Sequence, residues 1–521
     1  MARTRLFSAL RRLSRLTQGA LERGIPAAEH AAMERERFNT GRREFLRKTA
    51  LGVGVVALAA KAPFASGCGD NKSRKDASIA IVGAGMAGLM CARTLEKAGY
   101  RATLYDAQSR VGGRMWTQRD LPGGQLLELG GELIDTEHTV LRSLATELDL
   151  TLDDLAAYDS EVQSEVIFIG GRVIPESELL ASWAKVHGQI AADLAASENN
   201  EADLIRLDNI PLHDYIAGLP DIDPTFRDIL DLAYVCEYGL PTQEQSAMNL
   251  IWLIGSDSAD TFEIFGTSDE RFHTHEGNDA FPTRVAAALK SPIETGHRLV
   301  RVTTLSDGRY QLTFDMGGTT VESTCEHVVL TLPWTLLRDV EFSPALPAEK
   351  SNMIQNLGYG TNAKLMLGFD SRPWRTTHGK SGSTITDTGP QTLWETSRGQ
   401  AGTQGILTVF TGGAEGLAVG QSSAEARAQS YLPKIDALYP GAQAAYRSSS
   451  AVRMHWPTFE YAKGSYACFK PGQAIWSGTE GERVGNLHFA GEHTSVDFQG
   501  YMEGAAESGI RAAEEILSDL A

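Results

Sequence analysis

Five cysteines are scattered through 521 residues, none in a CxxC pair or a His/Cys cluster, so the sequence announces neither a disulfide framework nor a zinc site. No metal ligand set is expected from it. A membrane-spanning helix is missing too: the apolar stretch TALGVGVVALAA, residues 49–60, is shorter than the roughly 20 residues that a bilayer requires. Positive charge is scarce, with 48 Lys and Arg against 66 Asp and Glu, a net charge of −18. Residues 1–50 alone carry +7, which leaves −25 for the remainder. Such an acidic body argues against nucleic-acid binding and for solubility, and says nothing about fold. No internal repeat is evident. Hydrophobic residues make up 42% of the chain, enough for a sizeable core.

The basic N-terminal part ends in GRREFLRK, residues 41–48, followed by the short apolar run and by APFASGC. A basic region, an apolar core and small residues at the end form the pattern of a cleaved export signal. The consecutive Arg42 and Arg43 resemble the twin-arginine (Tat) signal, whose route carries proteins already folded. The expectation is a signal segment over 1–68, the Tat export machinery as a partner, and a periplasmic or otherwise extracytoplasmic location. Cys68 within ASGC looks like a lipoprotein cleavage box; acylation there and ordinary cleavage nearby both stay open.

Beyond a polar linker, NKSRKD, roughly 450 residues remain, enough for about two or three domains. The segment SIAIVGAGMAGLMCARTLEKAGYRATLYDA reads as strand, tight turn, helix and strand, with Leu89, Ala92, Leu95 and Ala98 recurring at helical spacing. Residues 135–260 are mostly helical in pattern, interrupted by a strand-like EVIFIGGRVI. Strand signals follow around an Asp-Gly turn in HRLVRVTTLSDGRYQLTF, and the chain closes with a strand, NLHFAG, and a helix. The predicted fold class is α/β: a Rossmann-like nucleotide domain from 76–150, 268–330 and 455–521, interleaved with a mixed α/β substrate domain from 151–267 and 331–454.

GAGMAG places Gly83, Gly85 and Gly88 in GxGxxG spacing, with Ala87 between the last two, after a strand and at the start of a helix. These glycines permit a tight turn and let the backbone approach a pyrophosphate at the helix N-terminus. Asp106, 18 residues beyond Gly88 at the end of the next strand, can accept hydrogen bonds from ribose hydroxyls. The motif does not distinguish NAD from FAD. SRVGGRMWT, with Gly112, Gly113 and Arg114, does: it resembles the second signature of flavoproteins that bind two dinucleotides.

From about Ser78 to the C-terminus the chain resembles the flavin-containing amine oxidase family, which includes monoamine, polyamine and L-amino-acid oxidases. LELGGELI matches a flavin-contacting turn, so the resemblance implies that Gly130 and Gly131 allow close approach to the isoalloxazine. LHFAGEHTSVDFQGYMEGAAESG matches the C-terminal flavin segment. It implies that Gly491 contacts the cofactor, that Glu492 lies near the ribityl–phosphate region and that the Met502 backbone N–H faces the N1/O2 edge. Val300 is carried as a further cofactor contact. In HWPTFEYAKGSYACFKPGQ, Trp456 matches the tryptophan beside the flavin, and Tyr466 pairs with Tyr501 as the two aromatics in front of it. Some members have a flavin-tethering cysteine where this chain has Ser465, which implies noncovalent FAD.

There is also a departure. Many members carry a lysine, hydrogen-bonded through water to flavin N5 and associated with the oxygen reaction, near the segment matching TLPWTLLRDVEFSPALP. That segment has Arg338 and Asp339 but no lysine, and Lys364 matches a different strand. Glu132 reads equally as a group meeting a cationic side chain or amine and as a salt-bridged core acid. Arg338 is a weak candidate for binding a substrate carboxylate. The implied reaction is oxidative deamination of an L-amino acid or related primary amine, with O2 as electron acceptor and a second copy of the chain as a candidate partner. The alternatives are a tryptophan 2-monooxygenase-type enzyme and an exported flavin-binding protein without amine turnover; an NAD-dependent dehydrogenase is disfavoured by the C-terminal flavin segment.

Overall fold

The structure, a computed structural model, describes residues 77–521; Arg42, Arg43 and Cys68 lie outside them. A five-stranded parallel sheet has the strand order Leu487–Phe489, His327–Leu330, Ile79–Val82, Thr103–Tyr105, Ile293–Glu294. Its central strand, IAIV, is buried at every residue, as a parallel sheet covered on both faces demands. The strands come from distant parts of the chain, so this sheet is complete only when the C-terminal strand has docked. Helices Met86–Lys97 and Met502–Leu520 pack together beside it. Their backbones approach so closely that a Cβ on Gly509 would stand 2.1 Å from the carbonyl oxygen of Ala87.

Beside this sheet lies a four-stranded one built from Arg298–Thr304, Tyr310–Asp315, Thr320–Cys325 and Glu341–Ser343. The second large layer is a seven-stranded sheet in the order Val452–His455, Ala363–Phe369, Gly405–Thr411, Gln391–Glu395, Lys380–Thr386, Gln163–Ile169, Arg172–Val173. All its pairings are antiparallel except that between Lys380–Thr386 and Gln163–Ile169. The strand-like EVIFIGGRVI is a hairpin within it; Gly170 and Gly171 turn at φ 61° and 78°, which suits a two-residue loop.

Helix Pro224–Tyr238 packs against this layer and delivers a functional side chain. Asp223 caps it by accepting from the amides of Thr225 and Phe226 at 2.8 and 3.3 Å, Pro224 takes the first position, and Gly239 ends it at φ 72°. Only glycine fits that stop, because a Cβ there would lie 2.0 Å from Asn362 Oδ1. Phe226, Ile229, Leu230, Ala233 and Tyr234 bury one face, so Glu237 is carried on the last turn toward the space between the layers.

Candidate active site

One cavity is lined both by the glycine-rich turn of the parallel sheet and by the aromatic segments near the C-terminus. Three glycines of GAGMAG serve different ends. A Cβ on Gly83, at φ 108°, would stand 2.3 Å from Thr331 Oγ1, and one on Gly88 would stand 1.9 Å from the Gly83 carbonyl oxygen. Both are required by protein packing, and Gly88 does not line the cavity. Gly85 differs: its Cβ would meet nothing nearer than Gly113 Cα at 4.0 Å and would project into open space. That space is the cradle a pyrophosphate needs. Helix Met86–Lys97 starts here without a side-chain cap and without an acidic residue in its first turn, so its free amides and dipole suit an anion.

Asp106 lines the same region. Its carboxylate accepts from the Ala84 amide at 2.7 Å and from the Gln108 amide at 2.8 Å, leaving lone pairs for ribose hydroxyls. Burial raises its carboxyl above the ordinary range, although those two amides oppose the shift. Gly113 and Ala87 complete this wall. These observations fit a dinucleotide: Gly83, Gly85, Ala87, Asp106 and Gly113 all line this part of the cavity.

Gly130, Gly131 and Met502 also line the cavity, but the two glycines are bare for another reason than expected. A Cβ on Gly130 would stand 1.7 Å from the Arg114 carbonyl oxygen, and one on Gly131 would stand 2.7 Å from the Met502 side chain. The missing side chains make room for protein, which in turn brings the turn's backbone to the cavity. Arg114 donates to the Ser465 carbonyl at 2.6 Å and to Glu492 Oε1 at 2.9 Å; Glu492 Oε2 accepts from the Gly500 amide at 2.9 Å. Arg114, Ser465, Gly491 and Glu492, from three sequence segments, thus form one wall. Helix Met502–Leu520 begins at that wall with no side-chain cap. The carboxylate of Glu503 in its first turn is turned away, accepting from the amides of Val140 and Leu141 at 2.7 and 2.8 Å. Its N-terminal field is therefore left for the cavity.

Trp456, Tyr466 and Tyr501 line the remaining part, with Trp456 against Gly130 and the Tyr466 hydroxyl donating to the Glu237 carbonyl. Burial, and then the Glu237 carboxylate, hold both phenols well above their ordinary value, so both stay protonated. Val300 is placed elsewhere. It is the residue at a register shift in the pairing of Arg298–Thr304 with Tyr310–Asp315 and does not line the cavity. Arg338 is spent on the carbonyls of Ile354 and Leu357, at 3.0 and 2.6 Å, and does not line it either.

The segment TLPWTLLRDVEFSPALP has no lysine, and Lys364 lies on a different strand, yet that strand brings it to the cavity. Lys364, in the buried strand Ala363–Phe369, points its Nζ at the cavity wall, 2.8 Å from the Gly130 carbonyl and 2.7 Å from Glu132 Oε2. The two readings left open for Glu132 merge: it is salt-bridged and lines the cavity. Its other oxygen accepts from Trp394 Nε1 and Thr396 Oγ1, both at 2.8 Å. Burial alone would raise this carboxyl, but Lys364, together with His273 and the Trp394 hydrogen bond, holds it below the usual range.

Two acids that the sequence did not flag complete the cavity: Glu237 and, from the loop before Phe272, Glu270. Burial raises the Glu237 carboxyl to about 7, with Asp135 adding to the shift and the Tyr501 hydroxyl opposing it. Glu270 is an exposed residue whose carboxyl lies among protein groups; that crowding, then Glu237 and Asp135, raise it to about 8 against the pull of Arg398. The cationic residues lining the cavity, Arg114 and Lys364, are both paired with glutamates.

A parallel dinucleotide-binding sheet whose cavity runs on into an aromatic, carboxylate-lined chamber defines a flavin-type oxidoreductase. The chain belongs to the family described as flavin containing amine oxidoreductases, which matches residues 86–517. It is similar to an L-amino-acid oxidase of Siganus canaliculatus, 25% identical over 84% of this chain and 85% of that protein. An L-amino acid dehydrogenase of Synechocystis is 26% identical over 84% of this chain and 94% of the other. The fold is that of putrescine oxidase (TM-score 0.71, 22% identity) and of a cyclohexylamine oxidase from Brevibacterium oxydans (TM-score 0.72, 21% identity), each aligned over 85% of this chain and 99% of the other. The protein is an FAD-dependent amine oxidoreductase.

Proposed function

We propose that this enzyme oxidises a primary amine that carries a second positive charge, releasing the imine and, with O2 as acceptor, H2O2. One observation carries the reading: the cavity presents Glu237 and Glu270 with no cation paired to either, while both cations among its described lining residues are already neutralised by Glu492 and Glu132. A substrate carboxylate would find no partner there and would face two acids. A second ammonium group finds two.

Bound FAD supplies the hydride acceptor. The protein's own groups do the rest. The Gly85 turn and the helix start at Met86 would hold the pyrophosphate, and Asp106 would take the ribose hydroxyls. Tyr466 and Tyr501 orient the amine's α-carbon, so that transfer becomes effectively intramolecular. The uncapped helix start at Met502 would favour negative charge on a reduced flavin held at this wall. Lys364, beside Gly130, takes the place of the family lysine associated with the oxygen reaction. Ser465 donates its hydroxyl to Asn362 at 2.6 Å, and the four described cysteines lie off the cavity, which supports noncovalent binding. Arg42 and Arg43 are proposed to send this folded holoprotein through the Tat route.

A second reading, oxidation of an L-amino acid, is favoured by the names of the sequence relatives. Anaerobic bleaching of the flavin separates the two. A linear diamine is expected to reduce it at least tenfold faster, per unit concentration, than its monoamine homologue or any neutral L-amino acid. Preference for a neutral amino acid would overturn the charge argument. Recovery of a carboxamide in place of the aldehyde or 2-oxo acid and peroxide would assign the monooxygenase outcome.

A further inference from the structure

The strand opening with His327 and the strand containing His488 are parallel neighbours, paired Val329 to His488. Two residues separate the histidines along the pleat, so both rings fall on the same face. They stack at 5.8 Å between centroids and 30° between planes, and are 5% and 0% exposed. Above them the last turns of helix Met502–Leu520 present Glu515 and Asp519, one turn apart. One ligand atom from each of His327, His488 and Asp519 lies within 4.8 Å of the other two.

Two buried nitrogens here, Nδ1 of His327 and Nε2 of His488, have no hydrogen-bond partner. Buried polar atoms are almost always satisfied, so an unpartnered pair on facing rings asks for an occupant. The opposite nitrogen of His488 is held 2.7 Å from Glu515 Oε2, and Glu515 is held in turn by Arg511 at 2.6 Å. A carboxylate fixing the far side of an imidazole is the arrangement that orients metal-binding histidines. Asp519 meets Arg483, with one contact at 3.1 Å, and a carboxylate oxygen in an ion pair still has a lone pair to give.

We propose that His327, His488 and Asp519 bind one zinc-class divalent transition-metal ion, its fourth position taken by water. Two imidazole nitrogens and one carboxylate oxygen suit Zn2+ at about 2.0–2.2 Å each, which needs the three atoms to close to roughly 3.4 Å apart. The site is structural. His327 stands at the start of the strand His327–Leu330, and Thr331, the residue just past its far end, lines the cavity about 13 Å away at ~3.3 Å per residue. The ion would tie the edge of the parallel sheet to the helix whose first residue, Met502, stands at the flavin wall.

The test uses the untagged, flavin-loaded protein, stripped with EDTA, exchanged into metal-free buffer and titrated calorimetrically with ZnCl2. The expected result is one Zn2+ per chain with micromolar or tighter affinity, and a thermal midpoint that rises with Zn2+. Asp519→Asn changes an exposed residue on the last turn, and His327→Gln keeps a neutral side chain in place. At least tenfold weaker binding in either variant, with flavin spectrum and amine turnover retained, supports the site. Failure of the parent protein to take up one equivalent, or equal affinity in both variants, overturns it.

Discussion

Lys364→Met removes the cation from a pair whose side chains are only 6% and 5% exposed. Breaking a buried pair by deleting one partner costs about 3–5 kcal/mol, because the remaining charge is stranded. The loss should fall in the upper half of that range. Glu132 Oε1 keeps Trp394 and Thr396, but Oε2 loses the lysine, and the carbonyls of Gly130 and Glu128 lose their Nζ contacts at 2.8 and 3.3 Å. At ~2.1 cal/mol/K of unfolding entropy per residue, a chain of this size moves its midpoint by about 1 °C per kcal/mol, so a drop of ~4 °C is expected by flavin-fluorescence melting. Adding Glu132→Gln should return most of it, since an uncharged pair strands nothing. Stopped-flow then separates the functional effect: reoxidation by O2 should slow at least tenfold more than anaerobic reduction by amine. A single variant that melts with the parent, or a double variant that recovers nothing, would refute the pairing energetics. An unchanged reoxidation rate would remove Lys364 from the oxygen reaction.

Glu237 and Glu270, raised to about 7 and 8, are neutral at low pH and ionise as pH rises. The kcat/KM ratio of diamine to monoamine should therefore climb between pH 6 and 8.5, a comparison that cancels deprotonation of the reacting amine, and Glu237→Gln should flatten the climb. Gly85→Val should abolish flavin loading while the protein still folds, since the side chain enters the cavity and not its neighbours; normal flavin stoichiometry would sink that assignment. Acid precipitation should leave the flavin in the supernatant, and a yellow pellet would reveal a covalent link. Arg42→Lys with Arg43→Lys should keep activity in the lysate and empty the periplasmic fraction, and unaltered export with FAD bound would make the arginines incidental.

What could be read from the sequence was what the backbone dictates. GAGMAG, the Asp106 strand end and the C-terminal segment are legible because a tight turn, a helix start and a close approach each restrict the residue at one position. Gly130 and Gly131 show the limit: the motif places them at the cavity, yet what they make room for, Arg114 and Met502, is set by tertiary packing. Lys364 had a usable signal, a lone lysine in the otherwise apolar AKLMLGF, where burial at all seven positions requires a partner. Glu237 and Glu270 had none. One ends a helix and the other sits in a loop, and only the packing of helix Pro224–Tyr238 brings them to one wall. His327, His488 and Asp519 escape for the same reason, since spacing rules detect local clusters and these meet across two strands and a helix.

The cavity holds both positive helix ends and unpaired acids. Two uncapped helix starts, at Met86 and Met502, offer positive ends where a dinucleotide and a ring edge would lie, whereas Glu237 and Glu270, with Asp135 close enough to act on both, add negative charge to the same cavity. Alone, these acids repel one another, and each raises its neighbour's hold on a proton. A cation about 5 Å away is worth about 3 kcal/mol to an ionised carboxylate at an effective dielectric near 20, enough to offset the rise at Glu237 and about two-thirds of that at Glu270. A dication entering the chamber, as proposed, would therefore favour the ionised form of the carboxylates beside it and release protons as it binds. A monoamine positioned at the tyrosines does this weakly. A carboxylate-bearing amino acid opposes it, because it adds an acid to a wall already short of cations. On the proposed diamine reading, selectivity would follow the ionisation of these acids and so would rise with pH through the range in which they titrate.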